Sequence, residues 1–180
     1  MMTLELKMNT YTFTITTDYN STSPRDYDNL GTIATWHSKY KLGDIQPKKS
    51  CIRFLKTLPN IVSLPVYMYH HSGISLSTIP FNCTWDSGQV GLIYVTFDKI
   101  KTEFNFKHLT IKRKQLITKY LQDEVVLYNR YLNNEVYKYT ITDKDNNSIS
   151  SIGDYYNKND AIHAAESDIS SHINADILLQ

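Results

Sequence analysis

The chain has 180 residues, 41% hydrophobic and 21% charged, values near globular averages that exclude disordered and collagen-like classes and fit one domain over 1–180. A net charge of +1 excludes a global field pulling the protein onto nucleic acid or membrane, although from Asp143 onward two Lys stand against six Asp and one Glu, leaving −5 there and +6 before it. Two cysteines, Cys51 and Cys83, are too few for a disulfide framework, and no apolar run approaches the ~20 residues of a transmembrane helix.

The segment from Met1 to Thr17 alternates apolar and polar residues instead of showing a basic start and an apolar block, so it reads as a strand and not a signal peptide. A cytoplasmic location with free thiols is the expectation. Tyr11, Phe13 and Ile15 alternate with threonines, the period of a strand with one buried face. Asp18 to Arg25 is a loop ending near Pro24, and Asp26 to Asp44 is a short helix or strand between two tight glycine turns. Ile52 to Leu58 reads as a helix stopped by Pro59, and Ile61 to Tyr69 as a strand whose Pro65 places it at a sheet edge. Ile74 to Ile79 and Val90 to Thr96 follow as strands, the second entered through a turn over Asp86, Ser87, Gly88 and Gln89.

The strongest helical pattern runs from Thr110, as N-cap, to Asn133, with a stripe of Leu116, Ile117, Tyr120, Leu121, Leu127, Tyr128 and Tyr131 expected to pack in the core. Val136 to Thr142 and Ser148 to Ile152 read as strands around an Asp145-Asn146-Asn147 turn, and Asn159 or Asp160 caps a last helix through Ile173. Strands and helices do not alternate regularly. The expected class is therefore α+β, a mixed or antiparallel sheet with one long helix over about 110–133 and a C-terminal helix.

Five of six glycines lie between positions 31 and 91, together with His37, Asp44, His70, His71, Ser72, Cys83, Trp85, Asp86 and Ser87. Glycine permits shaped loops, so this window is where a site is expected. A nucleophilic reading takes Cys83 as thiolate, His71 as base and Asp86 or Asp44 as orienter, against a packed, inert cysteine. A metal reading through His37, His70 or His71, Cys83 and Asp86 lacks every usual zinc spacing, so no metal and no cofactor is assigned. Asp28, Asn29, His37, Asp44, Ser72, Trp85, Ser87 and Gln89 are the candidate binding residues. Lys112, Arg113 and Lys114 put positive charge at the start of the long helix, against its dipole, where a nucleic-acid phosphate or simply solvent compensates.

Two blocks carry a resemblance: Pro24-Arg25-Asp26-Tyr27-Asp28-Asn29-Leu30-Gly31 with His37, Tyr40 and Leu42-Gly43-Asp44, then His71-Ser72-Gly73 and Cys83-x-Trp85-Asp86-Ser87-Gly88-Gln89-x-Gly91-x-Ile93-Tyr94-Val95. In this order they resemble an uncharacterised family of small phage and mobile-element proteins, in which position 27 is usually Trp and position 70 usually Asp. The resemblance implies a phage or plasmid origin and little chemistry. The leading expectation is a phage-type accessory protein that binds a host protein or nucleoprotein complex, as a counter-defence inhibitor would. The alternative is a small enzyme or nucleotide-type ligand binder using the Cys/His/Asp cluster. Both require the loops around 28–44 and 70–91 to converge.

Overall fold

The computed structural model describes residues 4–8, 10–48, 60–83 and 85–178. Cys51 and the helix expected over Ile52 to Leu58 lie outside the described residues. The class is α+β: eight strands, all pairing antiparallel in two four-stranded sheets, with three helices among the described residues. No helix among them is long and apolar enough to cross a membrane. The chain divides into two compact units, one made of Met1–Thr22 with Asn134–Gln180 and the other of Ser23–Asn133.

The first unit joins the two ends of the chain. Strands β1 (Leu4–Met8) and β2 (Tyr11–Thr17) form a hairpin, so the alternating N-terminal segment folds as two strands. Next to β2 lie β7 (Tyr137–Thr142) and then β8 (Ser148–Tyr155). The alternation does what period 2 demands: Phe13, Ile15, Tyr139 and Ile141 face inward and are buried against Ala161, Ala165 and Ile169 of the last helix, Lys158–Leu178. The β7–β8 turn is tied by Asp143, whose carboxylate accepts from the Asn147 side chain at 2.9 Å and from the Asp145 and Asn147 N–H groups at 2.8 Å each. Those bonds hold its carboxyl below the usual range. The last helix begins two to three residues earlier than expected and runs past Ile173, with Asn157 Oδ1 accepting from the Asn159 N–H at 3.1 Å.

The second unit holds β3 (Thr32–Thr35), β4 (Ile61–His70), β5 (Ile74–Ser77) and β6 (Ser87–Thr96), in the order β3-β6-β4-β5. Pro65 does not make β4 an edge strand, because β4 lies between β6 and β5. However, β5 pairs only with Tyr67 to His70, so at residue 65 the strand has a neighbour on one side alone and the missing N–H costs little. Strand β6 begins at Ser87, so Ser87, Gly88 and Gln89 of the expected entry turn are already laddered against β4. A short helix, α1 (Phe97–Phe104), follows directly, capped by the Thr96 hydroxyl. The apolar strand before it masks its start in the sequence. Long helix α2 (Ile111–Leu132) matches expectation closely, with Thr110 as N-cap. Its buried face is Ile117, Leu121, Val125 and Tyr128, a 4-4-3 spacing, whereas Leu116, Tyr120 and Leu127 are exposed, which narrows the expected stripe and adds Val125.

An ionic knot joins α2 to the loop before β3. The Arg25 guanidinium donates to both Asp44 oxygens, at 2.9 and 2.6 Å, to Glu124 Oε2 at 2.9 Å and to the Gly31 carbonyl at 2.7 Å. Glu124 also accepts from the Leu30 and Gly31 N–H groups, at 2.8 and 3.0 Å, and Asp44 from the Ile33 N–H at 2.6 Å. The Arg25 side chain is only 6% exposed. Burial works against its charge, yet the bonds and attraction from Asp44 and Glu124 outweigh it and raise its pKa above the ordinary value. Removing one partner of such a knot strands the other charges, so Arg25→Met is expected to lower unfolding free energy by about 3 kcal/mol in urea titration.

In the first unit, the Tyr139 hydroxyl donates to Asp168 at 2.9 Å, and burial together with that carboxylate pushes its pKa up to about 12. A raised pKa stabilises the fold at pH values below the unfolded value of about 10 and loses that contribution as pH climbs toward 12. Tyr139→Phe is expected to cost about 2 kcal/mol at neutral pH and to flatten the loss of stability between roughly pH 10 and 12, followed by circular dichroism.

Candidate functional site

Three segments of the second unit meet around one concavity of about 440 Å³: residues 37–40 after β3, Met68 and His70 near the end of β4, and Trp85 to Val90 at the start of β6. Antiparallel pairing brings the last two together, since Tyr69 lies opposite Ser87 and the His70 N–H donates to the Asp86 carbonyl at 2.9 Å. The third is carried in by β3, which pairs with the other side of β6. Its return is fixed at several points. Thr35 donates its hydroxyl to the Leu42 carbonyl at 2.5 Å, and the Gly43 N–H donates to the Tyr128 hydroxyl at 3.0 Å. Burial raises the pKa of that phenol, partly offset by the Gly43 bond. Gly43 itself sits at φ +70°, where a Cβ would fall 2.8 Å from the Ile33 carbonyl oxygen, so the turn requires glycine.

Within the concavity the rings are ordered by hydrogen bonds. His37 Nδ1 accepts from the Lys39 and Tyr40 N–H groups, both at 3.2 Å, which leaves Nε2 to carry the ring proton. The His37 and Tyr40 rings stack at 5.2 Å, and the Tyr40 hydroxyl shares a 2.8 Å hydrogen bond with His70 Nε2. Lys39 Nζ lies 5.1 Å from the Tyr40 ring centre. Met68 and Val90 are buried beneath, and Trp85 stands at the rim, 94% exposed.

The residues singled out in the sequence separate into groups. His37, Trp85, Asp86, Ser87 and Gln89 line this concavity, together with Lys39, Tyr40 and His70. Lys39 stood outside the candidate set, because a lone lysine in a polar loop carries no sequence signal. Asp28 and Asn29 line a different concavity, of about 340 Å³, with Lys99, Tyr120 and Glu124. There the Asn29 side chain donates to the Pro24 and Tyr27 carbonyls, at 2.8 and 2.7 Å, and Lys99 reaches the Asn29 carbonyl. Asp44 belongs to the ionic knot. Ser72 is exposed in the bend between β4 and β5.

The proposed catalytic trio meets at one atom. Asp86 Oδ2 lies 3.4 Å from His71 Nδ1 and 4.0 Å from the Cys83 thiol. The carboxylate is the common neighbour of both, and the described contacts include none between thiol and imidazole, the pair that nucleophilic chemistry needs. The His71 side chain is 70% exposed, stacked on Tyr69 at 6.3 Å. Ser87 is occupied locally, donating to the Cys83 carbonyl. Among the described residues no three of His, Cys, Asp and Glu gather where they could hold a metal ion.

On α2, Lys112 and Lys114 are exposed, whereas Arg113 donates to the His108 carbonyl at 2.8 Å and lies over the Phe106 ring at 4.4 Å. Compared with protein families, curated proteins and solved structures, the chain matches none.

The His37 arrangement is open to direct measurement. Long-range ¹H–¹⁵N correlation at neutral pH is expected to show the Nε2–H tautomer with unprotonated Nδ1. An averaged pair of ring nitrogens would mean that the 37–40 turn is not held as described.

Proposed function

We propose that the chain is a phage-type accessory protein that works by binding, with a host protein or nucleoprotein complex as its partner and inhibition of a host defence as its purpose. The observation that carries this reading is Trp85: an indole 94% exposed at the mouth of a concavity with ordered polar walls. Tryptophan is the side chain most enriched among residues that dominate binding energy, and one left in water gives its own fold nothing. The resemblance of the two sequence blocks to small phage and mobile-element proteins supplies the origin and, by analogy, the host.

A second reading, a small enzyme working through Cys83, His71 and Asp86, draws on the meeting of the last two at 3.4 Å. It ranks lower because the thiol's described partner is a carboxylate, and no described contact joins it to an imidazole that could act as its base.

A photo-activatable tryptophan analogue in place of Trp85, which keeps the indole, expressed in the bacterial host, is expected to give a discrete adduct. The same residue in place of Ile79, also exposed, should not give it. Excess unlabelled wild-type chain should compete the adduct away and Trp85→Ala should not. Identical adducts from both positions, or none from Trp85, would count against binding at this concavity.

A further inference from the structure

Four groups of different chemistry around the concavity remain available. Trp85 offers the faces of its indole. The Asp86 side chain is 43% exposed, and both of its described side-chain contacts, to His71 and Cys83, fall on Oδ2, leaving Oδ1 without one among the described residues. Lys39 has the Tyr40 ring as its described contact, and no described ion pair uses its charge. His37, with Nδ1 committed to backbone, has one N–H left to give.

Simple ligands satisfy only part of this set. A guanidinium would stack on Trp85 and pair with Asp86 but meet the Lys39 ammonium. A small anion would suit Lys39 and be repelled by Asp86. An apolar side chain would desolvate both charges without return. A nucleotide answers all of them: a ring face for the indole, an anion for the ammonium and a hydrogen-bonding edge for the carboxylate. Among the bases, guanine presents two parallel N–H donors, N1–H and the exocyclic amine, that meet the two oxygens of a carboxylate. Adenine, cytosine and uracil have no two adjacent donors on that edge, so one oxygen would face a lone pair. Guanine O6 accepts from an imidazole N–H, where adenine carries an amine. A volume of about 440 Å³ accommodates such a ring and its phosphate.

We propose that this concavity binds a guanine nucleotide, with the base stacked on Trp85, its Watson–Crick edge on Asp86 in place of the exposed His71, and its phosphate toward Lys39. The inference rests on the reading that this concavity is a binding site and names the chemistry recognised there, a guanylate, met either as a free nucleotide or within a single strand of a nucleoprotein partner.

Calorimetric titration of the whole chain tests it. Guanosine monophosphate is expected to bind at least about tenfold more tightly than the adenosine, cytidine and uridine monophosphates. Asp86→Asn should abolish the preference among bases, and Trp85→Ala should weaken binding by about tenfold or more. Lys39→Ala should weaken the nucleotide but not guanosine. A short single strand of adenylates with one central guanylate separates the sources: tighter binding than the free nucleotide assigns the site to a strand, and no gain assigns it to the mononucleotide. Equal affinity for all four bases, or no saturable heat with nucleotide or strand up to about 5 mM, overturns the proposal. If the Trp85 crosslink still yields its adduct in that case, only the guanine assignment falls; if it too is absent, the binding reading falls with it.

Discussion

A single guanidinium holds together the part of the chain that forms the site. Arg25 lies between Asp44 and Glu124, and each carboxylate also accepts backbone N–H groups of the segment from Leu30 to Ile33. The loop entering β3, the turn leaving it and the middle of the long helix are thereby tied at one buried point. The cost of burying three charges is met by their mutual satisfaction, since no buried side-chain nitrogen or oxygen among the described residues lacks a partner. Such a knot fixes geometry more than it adds net stability. Its consequence is positional: β3 is set against β6, and with it the 37–40 turn that walls the concavity.

Glycine completes the same job on the other side of β3. Gly91 in β6 lies opposite Thr35, and a Cβ there would come within 2.5 Å of the Ala34 carbonyl oxygen, a backbone atom that cannot step aside. Gly43 passes comparably close to Ile33. These two glycines let neighbouring backbone approach β3 from both sides, which is a packing role. Gly88, by contrast, would meet open space, and it lines the concavity. The glycine-rich character of the window therefore has two physical causes, and only one of them belongs to the site.

Much of the secondary structure was legible, because alternation in β2 and β7 and the cap at Thr110 are local signals that the sequence carries whole. What was not legible is mostly non-local. No pattern within residues 1–17 tells that their sheet partners lie beyond residue 136, and none announces that Pro65 sits just where β5 stops pairing. The helix from Phe97 was hidden because an apolar strand runs straight into it. The site was half legible. Residue types marked the 85–89 block and His37, but they could not distinguish Asp44, which is spent on Arg25, from Asp86, which keeps an oxygen open.

That distinction shows how function is to be sought in the two sequence blocks. Arg25, Asn29, Leu30, Gly31, Gly43 and Asp44 all have partners within the fold, and those partners account for their chemistry without any ligand. The same accounting fails for Trp85 and for the open side of Asp86. An indole in water forgoes roughly 25 cal/mol for each Å² it leaves unburied, and a carboxylate with one unused oxygen beside it gains nothing from the neighbour. Polar and aromatic groups that the fold does not consume are the ones available to a ligand, and here they stand side by side at the rim of one concavity.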